Sequence, residues 1–134
     1  MEIKALVTGE EELIRWFLKK ALNRFEYKTH IAGNTDEALS LLKDNSFNLL
    51  VTDIKNPESN GLSLIDKLRK FKIRIPNIIV CSSYSRDEFP DDLWADGVRF
   101  LQKPFNLLEL KGLLGEPAST DYARSGGGVE GHVC

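Results

Sequence analysis

Three short stretches, residues 3–8, 47–52 and 77–81, are almost continuously apolar, and each runs straight into a small or polar cluster. A run of that length without polar alternation suits a strand covered on both faces, since successive side chains of a strand point to opposite sides. Residues 27–32 and 98–102 add two more strand-length segments. The stretches between them have helical period. Over residues 11–25, Leu13, Phe17, Leu18, Ala21, Leu22 and Phe25 recur at spacings of three and four around Arg15, Lys19 and Lys20, and the carboxylates of Glu10, Glu11 and Glu12 suit a helix start. Thr35 reads as the N-cap of a helix over 36–43. A third helix is expected over 62–70, with Leu62, Leu64, Ile65 and Leu68 inward. Residues 85–96 carry the weakest helical pattern, because Pro90 fits a first turn but not a helix interior. Asn106, with Glu109 three residues on, has the form of a capping box opening a last helix that runs to 114.

Strands alternating with helices imply short right-handed crossovers, and those place helices on both faces of a parallel sheet. The expected fold is therefore α/β, a doubly wound five-stranded parallel sheet with five helices. A chain of 134 residues supports one such core, placed at residues 1–115, and the Gly/Ser-containing residues 116–134 read as a flexible tail or linker. With 42% apolar and 28% charged residues and a net charge of −2, the composition is that of a globular domain and does not suggest direct nucleic-acid binding. No apolar run approaches the roughly 20 residues that cross a bilayer. The only cysteines, Cys81 and Cys134, argue for a reducing compartment, with the cytoplasm as the default. His30 and His132 lack companions at metal-ligand spacing.

In parallel sheets of this kind functional groups gather where the strands end. The carboxyl edge would then collect Gly9 and Glu10, Asp53, Ser82 and Lys103. A strand-end carboxylate can attack a phosphoryl group and become an acyl phosphate, provided charge between the two anions is neutralised. Two carboxylates about 4 Å apart repel by roughly 4 kcal/mol at an effective dielectric near 20. Glu10 beside Asp53 therefore points to a hard cation such as Mg²⁺ between them. Lys103 would set an ammonium against Asp53 and a phosphoryl oxygen, and Ser82 a hydroxyl donor against another.

The strings Glu10-Glu11, Asp53-Ile54-Lys55-Asn56-Pro57 with Asn60-Gly61-Leu62, Ser82, and Lys103-Pro104-Phe105 fall in that order at successive strand ends. Their order and spacing resemble the receiver domain of two-component response regulators over about residues 2–115. The resemblance implies a flavodoxin-like topology. It also implies that Asp53 accepts a phosphoryl group from a phosphohistidine on a sensor histidine kinase or phosphotransfer protein. Mg²⁺ would be held by Glu10, Asp53 and the backbone carbonyl of Lys55. Ser82 would swing toward the phosphoryl group while Phe100 turns inward, remodelling a face of the fourth helix, fifth strand and fifth helix for a downstream protein effector. Lys103-Pro104 would be a cis peptide bond.

Receivers usually carry two adjacent acids after the first strand, where this chain has Thr8-Gly9-Glu10. That departure supports an alternative, a degenerate receiver that binds partners without phosphoryl chemistry. Counting back from Lys103 would put Cys81 at the hydroxyl position, whereas the local string Cys81-Ser82-Ser83 favours Ser82. Simpler roles compete with each assignment: Glu10, Glu11 and Glu12 as a favourable helix start, Lys103 and Lys55 as solvated lysines, and Ser82 as one of several turn-forming serines. A phosphohydrolase of the haloacid dehalogenase type would need a second aspartate two residues after the nucleophile, and that position is Lys55.

Overall fold

The computed structural model describes residues 2–58 and 61–114. Asn60 and the tail assigned to residues 116–134 lie outside them. Five strands, β1 (Ile3–Gly9), β2 (Tyr27–Ala32), β3 (Leu49–Asp53), β4 (Asn77–Ser82) and β5 (Arg99–Gln102), form one sheet in the order β2-β1-β3-β4-β5, with every pairing parallel. Helical segments follow each strand: α1 (Glu12–Arg24), α2 (Thr35–Asp44), α3 (Gly61–Lys70), a pair of 3₁₀ turns over Arg86–Glu88 and Asp91–Gly97, and α4 (Leu107–Leu113). The doubly wound five-stranded sheet expected from the apolar runs is thus present. Among the described residues no helix is long and apolar enough to cross a membrane.

The apolar runs are continuous because the sheet is covered twice. Val7, Val51, Cys81 and Leu101 point toward α1 and α4, where they meet Leu18, Leu22, Phe105 and Leu110. Leu6 and Leu50 point the other way, onto Ala38, Leu42, Leu64 and Leu68 of α2 and α3. Val80 and Ile54 complete that second face under Phe89 and Leu93 of the 3₁₀ segment. At roughly 1.5–3 kcal/mol for each large apolar side chain withdrawn from water, this two-sided burial is what holds the strand ends in fixed register.

Several local expectations are corrected. The N-cap of α2 is Asn34, not Thr35: the Asn34 side chain accepts from the Glu37 amide at 2.8 Å, and Glu37 Oε1 accepts from the Gly33 amide at 2.9 Å. Both residues carry a suitable oxygen, but Asn34 is the extended one (φ −155°, ψ 172°), and Thr35 is already helical. The third strand starts at Leu49, after Asn48 has bracketed Lys4, its amide donating to the Lys4 carbonyl and its Oδ1 accepting from the Lys4 amide. Residues 85–96 do not form an α-helix. Ser85 and Glu88 close a capping box around the first 3₁₀ turn, Pro90 caps the second, and Ala95 and Asp96 leave helical geometry. Proline, having no N–H and a fixed φ, serves as a boundary between two short turns. Leu13 of α1 does not pack inward; it is 79% exposed. The capping box of Asn106 and Glu109 on α4 is present as expected.

Candidate functional site at the carboxyl edge of the sheet

β1 and β3 are neighbours although β2 lies between them in the chain, so the winding reverses at their shared carboxyl end. A crevice opens there in sheets of this kind. The register puts Gly9 directly opposite Asp53, and Asp53 opposite Cys81. Gly9 is needed for space. A Cβ on it would lie 2.6 Å from the Asp53 Cβ and 3.0 Å from the Asp53 carbonyl oxygen. The Arg15 guanidinium, one turn into α1, donates to the Gly9 carbonyl at 2.6 Å and secures the strand end from outside.

Lys103 is brought in from β5. Its amide donates to the Ser82 carbonyl at 2.8 Å, fixing its backbone on the end of β4, and its bond to Pro104 is cis. From there Nζ lies 2.6 Å from Asp53 Oδ1 and 3.4 Å from Glu11 Oε1. The Asp53 side chain is 1% exposed and the Lys103 side chain 12%. Asp53 Oδ2 is buried without a hydrogen-bond partner among the described residues. Burial pushes the Asp53 carboxyl above its ordinary 3.8; the Lys103 ammonium opposes this, and Glu11 and Glu10 reinforce it. Burial alone would lower Lys103, but the Asp53 carboxylate, with Cys81 and Glu11, outweighs it and holds the ammonium above its ordinary 10.5. The two directions are compatible. Asp53 is the deeper group, with one cation against two further acids, while Lys103 is nearer water and faces several negative groups.

The remaining residues singled out from the sequence are distributed around this pair. Glu10 is exposed at the mouth, with Glu11 beside it on Lys103. Ser82 is fully buried at the end of β4, in register with Gln102, and its Oγ accepts from the Tyr84 amide at 3.2 Å; it makes no hydrogen bond to Asp53. Cys81 faces the α1/α4 core among Val7, Val51 and Leu101, while Ser82 shares the parity of Val80 and Phe100 on the opposite face. Phe100 is half-buried, its ring centroid 5.4 Å from Trp94 and 6.2 Å from Phe89. Lys55 is exposed in the loop after β3, where Asn56 Oδ1 accepts from the Glu58 amide.

Two features were not foreseen from the sequence. Glu11 is a second anchor for Lys103, ninety-two residues away in the chain; no periodicity signals such a contact. A cavity of about 130 Å³ also runs from Asp53 under Glu10 to the start of α2, lined by Thr8, Gly9, Asn34 and Thr52. Thr52 Oγ1 is buried there with no partner among the described residues. Its signal was the pair of threonines, Thr8 and Thr52, each one residue before the end of its strand and directly after an apolar run, Ala5–Val7 and Leu49–Val51.

A buried carboxylate with one oxygen paired to a fixed ammonium and the other unpartnered thus stands in a crevice at the winding reversal of a doubly wound α/β fold. The comparisons with known proteins agree. The family model for the response regulator receiver domain matches residues 5–114, and this chain belongs to that family. It is 32% identical over 111 residues to the response regulator protein PilR of Pseudomonas aeruginosa, covering 83% of this chain and 25% of that protein. To the transcriptional regulatory protein SrrA of Staphylococcus aureus it is 28% identical over 129 residues, covering 93% of this chain and 53% of that protein. The chain therefore spans between a quarter and about half of these curated relatives. Among solved structures, the Thermotoga maritima response regulator TrrA in complex with Mg²⁺-BeF is 32% identical with a TM-score of 0.70, over 84% of this chain and 95% of that one.

Among the described residues no three His, Cys, Asp or Glu side chains converge as a metal cluster. The available donors are the unpartnered Asp53 Oδ2 and the exposed Glu10 carboxylate, with Glu11 engaged by Lys103. Two carboxylates fit Mg²⁺, which ordinarily keeps several waters and takes one or two protein carboxylates beside substrate oxygens.

Proposed function

We propose that this receiver accepts a phosphoryl group on Asp53 from the phosphohistidine of a sensor kinase or phosphotransfer protein, and that the modification changes which protein its outer face binds. The reading rests chiefly on the asymmetric carboxylate: Oδ1 is paired with Lys103 at 2.6 Å, while Oδ2 is buried and unpartnered. Oδ2 is then the nucleophile. It forms the new bond to phosphorus as the phosphorus–imidazole nitrogen bond breaks, and the leaving imidazole keeps the electron pair. Lys103 remains on Oδ1 and is within reach of an equatorial phosphoryl oxygen, where a fixed ammonium stabilises charge as it spreads. Glu10, Asp53 and the Lys55 carbonyl would hold Mg²⁺, which when bound neutralises the repulsion between carboxylate and phosphoryl group.

Ser82 begins with its hydroxyl on the Tyr84 amide. A phosphoryl oxygen offers it a charge-assisted alternative, roughly twice as strong as a neutral hydrogen bond. Phe100, on the same sheet face and held between Phe89 and Trp94, is the side chain through which such a movement reaches the 3₁₀ segment, β5 and α4. Taking a two-state equilibrium from 1:99 to 99:1 requires about 5.5 kcal/mol, which a dianion with several charged contacts can provide. The cytoplasm is the compartment in which such a phosphodonor would be met.

The test is intact-mass analysis after incubation with Mg²⁺ and acetyl phosphate. One added phosphoryl group is expected, absent in Asp53→Asn and strongly reduced in Lys103→Ala. A folded protein that gains none, or an Asp53→Asn variant that still gains one, would refute the proposal.

A further inference from the structure

The opposite edge of the sheet carries the densest positive charge in the chain. Residues 67–74 hold Lys67, Arg69, Lys70, Lys72 and Arg74 and no acid, in a chain with 18 basic and 20 acidic residues. Part of this has a local cause, since cations in the last turn of α3 complement its dipole. Arg69 is also structural: it donates to the carbonyls of Asp92, Leu93 and Ala95 and pairs with Asp96, tying α3 to the 3₁₀ segment. Neither account covers Lys72 and Arg74. Both lie beyond the helix, exposed, with no ion pair among the described residues. Lys72 moreover occupies the left-handed region (φ +56°) where the chain leaves α3, a position for which glycine is the ordinary residue.

These two cations, with Arg69 and the Asp96 carboxylate it pairs with, border a cleft of about 650 Å³ between the end of α3 and the start of β4, and Lys72 and Arg74 leave its rim with a net positive charge. Its floor is aliphatic: Ile65, Leu68 and Val98 are buried, and Ile73, Ile75 and Ile78 are half-buried beside them. The cavity at Asp53 is about 130 Å³, whereas this one has room for several side chains. An aliphatic floor under a cationic rim complements a peptide with aliphatic anchors flanked by carboxylates. It suits nucleic acid poorly. Base stacking needs an open aromatic face, and Phe71, the aromatic in this stretch, is overlaid by Lys43 at 4.4 Å and Lys70 at 5.7 Å.

We infer that the cleft between α3 and β4 is a docking site for an acidic, aliphatic-bearing peptide segment of a partner protein. Leu49 pairs with Asn77 at the amino edge and Asp53 lies at the carboxyl edge of the same strand, so a partner seated here leaves the phosphoacceptor open. The inference is independent of phosphorylation.

The experiment is methyl-detected NMR on the full chain, titrated with a short peptide of glutamates interspersed with leucines. Oligoglutamate and oligothymidylate of equal charge serve as controls. Saturable shifts at Ile73, Ile75, Ile78 and Val98 are expected with the Glu/Leu peptide, and much weaker ones with either control. K72E/R74E should weaken binding about tenfold, as two rim attractions become repulsions. K72Q/R74Q, which only removes the charges, should fall between it and the unmodified protein. Absence of saturable shifts, equal response to oligothymidylate, or binding indifferent to K72E/R74E would each overturn the assignment.

Discussion

Gly9 stands where receivers usually carry an acid, and its neighbourhood dictates what replacing it would do. A Cβ there meets the Asp53 Cβ at 2.6 Å and the Asp53 carbonyl oxygen at 3.0 Å. Neither contact is with the end of a flexible side chain, so relief requires β1 and β3 to separate where they are hydrogen-bonded in register. Overpacking of this kind costs about 1–3 kcal/mol, and the smaller entropy of an unfolded chain carrying alanine returns about 0.4–1 kcal/mol. Gly9→Ala is therefore expected to destabilise the protein by about 1–2 kcal/mol. Gly9→Asp adds a further carboxylate beside Asp53, worth up to about 4 kcal/mol of repulsion at 4 Å and an effective dielectric near 20. Urea unfolding of both variants, with and without Mg²⁺, separates the two effects: the loss in Gly9→Ala relative to the unmodified protein should be the same with and without the ion, and Gly9→Asp should recover a large part of its loss when the ion is added. A Gly9→Ala variant as stable as the unmodified protein would refute the steric reasoning. A Gly9→Asp variant that Mg²⁺ leaves unchanged would refute the electrostatic one.

Two further perturbations address the ion pair. Asp53→Asn mimics the protonated acid with Lys103 still charged, and should stabilise the fold by about 1 kcal/mol at neutral pH, the difference between leaving a charged and a neutral buried atom unpartnered. Because the folded-state Asp53 carboxyl titrates above its ordinary 3.8, its charge costs stability at neutral pH and that cost disappears as pH falls below 3.8. Melting curves of the two proteins should therefore converge in acid, and a gap that widens there would contradict the assignment. Lys103→Met strands a buried carboxylate and should cost about 3 kcal/mol, the low end for broken buried pairs because the lysine keeps some contact with water. Since the folded-state ammonium titrates above 10.5, this stabilisation is fully present below pH 10.5 and is lost as pH rises through the folded value. The same substitution made on Asp53→Asn should cost much less, and equal costs in both backgrounds would show that the pair is not coupled.

The sheet was legible from residue types because burial on both faces leaves an uninterrupted apolar run, and β2 at Tyr27–Ala32 has the bounds read from the sequence. The strand-end positions of Asp53, Ser82 and Lys103 were legible for the same reason: where an apolar run stops, the next polar side chain stands on the rim. Finer features turned on competition between near-equivalents. Asn34 and Thr35 both carry a capping oxygen, and backbone conformation chose between them. Leu13 fits the apolar spacing of α1, yet in that first turn it is the neighbouring Ile14 that packs against the sheet, and Leu13 stays exposed. Pro90 marked a break without showing that both sides of it would settle as 3₁₀ turns, the second held down by Arg69. Long-range contacts such as Glu11 with Lys103, and the close approach that disfavours a side chain at Gly9, depend on strand register, which periodicity does not encode.

The central claim is that the carboxylate of Asp53, and no other acid at this edge, carries the phosphoryl group. Borohydride reduces an acyl phosphate to the corresponding alcohol, so protein treated with Mg²⁺ and acetyl phosphate, then reduced and digested, records the acceptor permanently in its sequence. Tandem mass spectrometry is predicted to find homoserine at position 53 and unmodified Glu10 and Glu11. Reduction at Glu10 or Glu11 with Asp53 intact, or no reduced residue in protein shown to be folded, would contradict the account.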